Sequence, residues 1–347
     1  MRALVFHGVQ DIRCENVADP RPPDSRGAIL RVERAAICGS DLHLYHGHLP
    51  VAQLGFTVGH EFVGEVMETG SDVKDVRTGD RVLVSGVIGC GQCPRCRLGQ
   101  VVCCEQHKTQ VFGVQPTLPG GQAEAVAVPA ADHAMRRIPD GVSVEQAVLL
   151  TDILPTGYFG ASWADISPGQ DVAVIGMGPV GLMALMSAQL FGPARVFAVD
   201  PVPERLEVAR ELGAVPVAAD AADALISEAT GGLGVDAVIE AVGADETIQQ
   251  AIQWVRPGGT VSVVGVNVRM DFPFPLGLAL MKDLTFRMGL CPVPESWPAL
   301  IPLVASGRLA PERVFTHRMA LSEGSEAYRL FAERRDGVIK VLLDPSC

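Results

Sequence analysis

The chain lacks a surplus of positive charge. Its 28 Lys and Arg against 40 Asp and Glu leave a formal net charge of −12. Phosphate backbones and anionic membrane surfaces repel such a protein, so nucleic acid and lipid headgroups are excluded as its main partners. It also lacks any run approaching the ~20 uninterrupted apolar residues of a membrane span. The start, Met1-Arg2-Ala3-Leu4-Val5-Phe6, is too short for the apolar core of a secretion signal and reads as a first strand. The expectation is a cytoplasmic protein. Internal repeats, low-complexity tracts and a disordered tail are missing as well. What is present is globular: 347 residues, 48% hydrophobic and 20% charged, enough for about two domains with buried cores.

The stretch around which the rest is organised is Val172-Ala173-Val174-Ile175-Gly176-Met177-Gly178-Pro179-Val180-Gly181. An apolar run enters Gly-x-Gly-x-x-Gly, and a helical pattern follows from Pro179 to Phe191. That predicts a buried parallel strand, a tight turn and a helix start, the geometry that holds a dinucleotide pyrophosphate. Gly176 permits the turn, Gly178 lets backbone approach phosphate, and Gly181 lets helix pack on strand. The helix N–H groups and dipole favour the anion. A second apolar run, 194–199, ends at Asp200, where an acid can accept hydrogen bonds from ribose hydroxyls. Later strands are expected at 215–219, 236–240, 260–266 and 284–290, alternating with helices as a doubly wound sheet requires. Helix 244–255 is expected to stop at Arg256-Pro257-Gly258-Gly259.

Ahead of this half, short strands are expected at 3–7, 12–17, 28–37, 63–68 and 81–85. They point to a small antiparallel barrel or sandwich. Among them lie Cys38-Gly39-Ser40-Asp41-Leu42-His43 and Gly59-His60-Glu61. A catalytic zinc needs three protein ligands and an open fourth position, and Cys38 and His60 suit two of them. Asp41 suits the carboxylate that orients a ligating imidazole.

Nine cysteines are many for a reducing compartment. Five of them, Cys90, Cys93, Cys96, Cys103 and Cys104, crowd one short stretch, which points to metal rather than to disulfides. Cys90, Cys93, Cys96 and Cys104 can close a tetrahedral structural zinc site with no open position. Cys103 competes for the fourth place, and spacing favours Cys104.

These motifs, with Thr151-Asp152 and Thr156-Gly157, occur in an order that resembles the zinc-dependent medium-chain alcohol dehydrogenases over nearly the whole chain. The resemblance implies an α/β protein with a GroES-like β-rich catalytic domain and a Rossmann doubly wound parallel-sheet domain. The catalytic domain would span 1–152, with the structural-zinc lobe at 89–105. The NAD-binding domain would span 153–293, and 294–347 would return to complete the first.

By the same resemblance, Cys38 and His60 bind a catalytic zinc, Ser40 and His43 relay the proton, and the third ligand maps to Asp152. Two zinc ions per chain and NAD follow as cofactors, and an alcohol or carbonyl compound as substrate. Thr156, Val266 and Leu290 fall near the nicotinamide, though strand core serves equally well for the last two. Pro179 and Val180 belong to the pyrophosphate turn. Asp200 favours NAD over NADP, and Arg205 softens that preference. A homo-oligomer, tetramer before dimer, is implied.

Glu61 is a second carboxylate beside the zinc. Adjacent side chains leave the backbone in different directions, so His60 and Glu61 are not both expected on one metal. Glu61 is expected nearby, approaching during ligand exchange. Tyr45, His46, His48, Leu54 and Trp297 are further residues that can approach the substrate pocket. A zinc-free quinone or enoyl reductase and a non-catalytic dinucleotide or redox sensor share the fold. The intact zinc sets disfavour the first, and the Ser40/His43 pair the second.

Overall fold

The structure is a computed structural model describing Met1–Cys347, and none of its helices is long and apolar enough to cross a membrane. The chain divides into two compact units. One comprises Met1–Pro155 and Pro292–Cys347, the other Thr156–Cys291. Asp152 therefore belongs to the first and Thr156 to the second.

In the first unit, strand Ala28–Ala36 is the hub. Along one edge it pairs antiparallel with Glu61–Thr69. Along the other, its first residues pair with Ala125–Val128, while Ala35 and Ala36 pair with Leu343 and Leu342 of strand Lys340–Asp344. One edge of the hub is thus shared between two partner strands. Strand Lys340–Asp344 continues parallel to Phe315–Ala320.

The C-terminal return is thus stitched into the N-terminal sheet by backbone hydrogen bonds. Helix Gly324–Glu333 adds a buried face of Ala327, Tyr328, Leu330 and Phe331, which packs with Leu4, Phe6, Leu30 and Phe62 in one core. Each large apolar side chain so buried contributes about 1.5–3 kcal/mol relative to leaving it in water. Helix Val293–Ala305 buries Trp297, whose Nε1–H donates to Leu150 O at 2.9 Å. Trp297 is a core residue with its polar atom satisfied, which leaves it no part in lining a substrate pocket.

The second unit is an all-parallel six-stranded sheet. Across it run Val215–Ala218, Arg195–Asp200, Asp171–Ile175, Val235–Glu240, Val255–Val263 and Thr285–Met288. The order reverses between Asp171–Ile175 and Val235–Glu240, and ligands of doubly wound sheets bind beyond the strand ends at such a switch. The near-continuous apolar sequences of the central strands follow from burial on both faces.

Helix Asp245–Trp254 stops just ahead of Arg256-Pro257-Gly258-Gly259, as expected. The tetrapeptide itself lies inside strand Val255–Val263, where Val235 pairs with Val255 but Ala237 already pairs with Thr260. The extra residues form a bulge, which tolerates a proline without an N–H.

Candidate metal and dinucleotide sites

The four-cysteine lobe assembles from local turns. Cys90 follows strand Val87–Ile88, Cys93 caps the short helix Pro94–Arg97 and Cys96 lies within it. Cys104 follows the 3₁₀ turn Val101–Cys103. Amide N–H groups of Gln92, Cys93 and Cys96 point at the sulfurs of Cys90 and Cys93, at 3.3–3.5 Å. All four sulfurs lie within 4.8 Å of one another, and Cys90 and Cys96 are 3.8 Å apart. Tetrahedral zinc with Zn–S of ~2.3 Å sets sulfurs about 3.8 Å apart, so the donor set fits.

Cys104 is buried whereas Cys103 is exposed, which makes Cys104 the fourth member. Burial pushes Cys96 up to about 12. At Cys104 burial works the same way, but backbone hydrogen bonds from Cys90, Lys108 and Gln106 outweigh it and bring the thiol down to about 6. As thiolates, four sulfurs this close would need a cation among them.

The second cluster forms where three segments of the first unit meet. Cys38 follows the hub strand, His60 precedes strand Glu61–Thr69, and Asp152 precedes helix Ile153–Trp163. Asp152 Oδ2 stands 3.4 Å from His60 Nε2 and 3.5 Å from Cys38 Sγ. Edges of about 3.3–3.8 Å are those of a tetrahedral N, O, S set with metal bonds of ~2.0–2.3 Å. Ser40 Oγ lies 3.2 Å from Cys38 Sγ and 3.3 Å from His60 Nε2, so a hydroxyl stands against the same set.

Burial pushes the Cys38 thiol up to about 11, with the Glu61 charge adding to it. Burial disfavours a charged His60, yet Asp41, Cys38 and Asp152 together hold it well above the ordinary histidine value. Burial likewise opposes the Asp152 charge, but His60 and Lys340 keep it below the ordinary carboxylate value. Behind the ring, Asp41 Oδ1 approaches His60 Nδ1 at 3.1 Å, off the hydrogen-bond line, and Asp41 Oδ2 accepts the Cys38 N–H.

The ligand atoms of Cys38, His60, Glu61 and Asp152 all lie within 4.8 Å of one another. Strand alternation therefore does not separate His60 from Glu61, because the strand begins at Glu61 and His60 sits in the turn before it, after Gly59 at φ +92°. What engages Glu61 is Lys340. Its Nζ stands 2.6 Å from each carboxylate oxygen, and both residues are fully buried. Burial pushes Glu61 up against the pull of Lys340, while Glu61 and Cys38 overcome burial and keep Lys340 cationic.

Lys340 is a residue that the reading by motif missed. Its signal was one lysine inside the apolar run Val338-Ile339-Lys340-Val341-Leu342-Leu343. No hydrogen bond joins the side chains of Ser40 and His43, which are linked only by the backbone bond His43 N to Ser40 O. The His43 ring neighbours that of His48 at 5.7 Å. Burial, then the charges of His48 and His46, keep His43 below the ordinary histidine value. Tyr45 is buried and stacks on Tyr328, while Leu54 is exposed.

In the second unit the glycine turn is built as its sequence requires. Gly176 has φ +89°, and a Cβ on Gly181 would stand 1.6 Å from Gly176 O. A Cβ on Gly178 would meet nothing nearer than Arg205 Nη1 at 3.9 Å, so the backbone there faces open space. Gly178 also begins helix Pro179–Ala188 with no side-chain cap, which leaves its first N–H groups for an anion. Asp200 Oδ2 accepts the Met177 N–H at 2.7 Å and Oδ1 the Val202 N–H at 2.8 Å. Arg205 Nη1 lies 3.8 Å from the same carboxylate. Val266 and Leu290 lie just beyond their strands and are exposed, so neither is strand core.

A family model described as the alcohol dehydrogenase GroES-like domain matches residues 24–140, and one described as zinc-binding dehydrogenase matches 179–306. The chain is 45% identical over 345 residues to a probable zinc-binding alcohol dehydrogenase of Mycobacterium tuberculosis, covering 99% of this chain and 89% of that one. Among solved structures it resembles an alcohol dehydrogenase from Thermus sp. ATN1 with a TM-score of 0.92 and 44% identity, over 99% of each chain. A putative zinc-binding dehydrogenase from Sinorhizobium meliloti 1021, bound to NADP, shares 30% identity with a TM-score of 0.85, again over 99% of each chain.

Proposed function

The chain belongs to the zinc-dependent medium-chain alcohol dehydrogenase family, and from that premise we propose that it is an NAD-dependent enzyme interconverting an alcohol and its aldehyde or ketone. The observation that carries this is the Cys38, His60 and Asp152 set with the Ser40 hydroxyl against it. Zinc held by those three residues supplies a positive charge that lowers the pKa of an alcohol hydroxyl, and NAD on the glycine turn supplies the hydride acceptor. Cys90, Cys93, Cys96 and Cys104 would hold a second, structural zinc.

Ser40 Oγ would accept the hydroxyl proton and His43 would release one to solvent; their side chains share no hydrogen bond, so the ribose of a bound coenzyme would have to bridge them. Asp41 orients His60, and Lys340 engages Glu61 so that Asp152 is the resting carboxylate ligand. Thr156, Val266 and Leu290 line the nicotinamide. The test is NADH formation by zinc-replete protein across primary, secondary and polyol alcohols. No turnover with any of them would refute the proposal.

NAD is favoured over NADP because the buried Asp200 carboxylate meets two ribose hydroxyls well and a 2′-phosphate badly. Arg205 beside it moderates that preference without reversing it. Asp200→Gly should narrow or invert the ratio of kcat/KM for the two coenzymes. Equal efficiency with both in the unmutated enzyme would contradict the assignment.

The protein is further expected to be a homo-oligomer. In the second unit strand Thr285–Met288 is a sheet edge, and nearby Met270, Leu276, Leu280 and Met281 are each at least 75% exposed. An open edge beside so much apolar surface calls for a partner. A solution mass of one chain at micromolar concentration would contradict this.

A further inference from the structure

Tyr328 lies in helix Gly324–Glu333, far in sequence from every proposed metal ligand, and is wholly buried. A hydroxyl taken out of water needs a partner. It donates to Gln122 Oε1 at 2.8 Å. That contact fixes which end of the amide is which. Gln122 Nε2 then donates to Ala36 O at 3.0 Å and to Asp41 Oδ2 at 3.3 Å. Flipping the amide would set its oxygen against a carbonyl and a carboxylate, so the orientation is locked. Asp41 in turn accepts the Cys38 N–H and faces His60 Nδ1.

Gly59 makes room for the chain of contacts, since a Cβ there would stand 2.3 Å from the Gln122 side chain. Tyr328, Gln122, Asp41 and His60 are all at most 4% exposed. A tyrosine satisfied only for stability needs a single acceptor. Here the hydrogen bonds run on to the carboxylate that touches both the Cys38 backbone and the His60 ring.

We propose that Tyr328 and Gln122 are positioning residues for the catalytic metal, locking the Asp41 carboxylate that stands 3.1 Å behind the His60 ring and holds the Cys38 N–H. The proposal rests on the zinc reading given above. Losing a carboxylate or carbonyl partner behind a metal-ligating histidine typically lowers metal affinity 10–100-fold. Tyr328 stands further out, so about 10-fold is expected, the low end of that range.

The test uses holoenzyme with its zinc in place, a chromogenic chelator and the Tyr328→Phe variant. Zinc should leave the Cys38 site about 10-fold faster, while release from the four-cysteine lobe keeps its wild-type rate. The cobalt-substituted Cys38 site should show a shifted d–d absorption. If Tyr328 acts through Asp41, adding Tyr328→Phe to Asp41→Asn should not speed release beyond Asp41→Asn alone. Gln122→Met, which removes both amide contacts, should reproduce the faster release should Asp41→Asn fail to fold.

A Tyr328→Phe enzyme that melts earlier but releases zinc at the wild-type rate, with an unchanged cobalt spectrum, would overturn the proposal. So would effects of Tyr328→Phe and Asp41→Asn that multiply. Unmutated protein holding zinc in the four-cysteine lobe alone would overturn the metal reading itself, and this one with it.

Discussion

Asp152→Asn should yield a folded protein that binds the catalytic zinc at least about a hundredfold more weakly, above the range for partners behind a ligand. Turnover should fall by about three orders of magnitude, ~4 kcal/mol at the barrier. The substitution keeps the shape of the side chain and removes its charge. Asp152 Oδ2 is the oxygen that stands 3.4 and 3.5 Å from the other two ligand atoms, so the loss falls directly on the metal.

Glu61→Gln should do the reverse. Its carboxylate faces Lys340 in a fully buried pair, and removing one charge leaves the other uncompensated. Breaking such a pair costs about 3–5 kcal/mol. Glu61→Gln should therefore melt earlier yet keep its catalytic zinc, whereas Asp152→Asn keeps its stability and loses the metal. Zinc content and thermal unfolding of the two variants decide the matter. The opposite pattern would make Glu61 the ligand and Asp152 the bystander.

Cys96→Ser should act on the fold rather than on the chemistry. Cys96 is wholly buried at the centre of its lobe, and a hydroxyl is a poor fourth donor for a site of three thiolates. Structural zinc contributes about 10–16 kcal/mol of binding free energy in isolated peptides. If even about a third of that stabilises the first unit, the melting temperature falls by roughly 10–20 °C. One zinc should be lost, and the lobe 89–105 should become the first site of proteolysis. Cys103→Ser, at an exposed thiol, should change neither metal content nor melting. Unaltered stability in Cys96→Ser would show that the lobe needs no metal.

Features bound to local spacing could be read from the chain alone. The glycine turn, the strand before it and the terminal Asp200 all follow from short-range steric rules, as do the turns that gather Cys90, Cys93, Cys96 and Cys104. Features set by distant pairing could not be read so. Tyr328 and Lys340 reach the Cys38 site from the C-terminal return, 206 residues from Gln122 and 279 from Glu61 respectively. No periodicity reports such contacts.

Arg256-Pro257-Gly258-Gly259 ends the preceding helix as its composition says, but that a slip in the pairing of two parallel strands absorbs it as a bulge could not be read from the chain. Alternation along a strand likewise gave no guide to His60 and Glu61, because the strand starts between them. Trp297 was legible as a helix residue, but its direction was not, since only the fold decides whether a helix face meets core or pocket.

The central claim is that this chain carries one closed and one open zinc site. Metal analysis of the unmutated protein, purified without chelators, tests it most directly. Two zinc ions per chain are expected, falling to one in Cys38→Ser with the fold intact. One zinc or none in the unmutated protein would contradict the account.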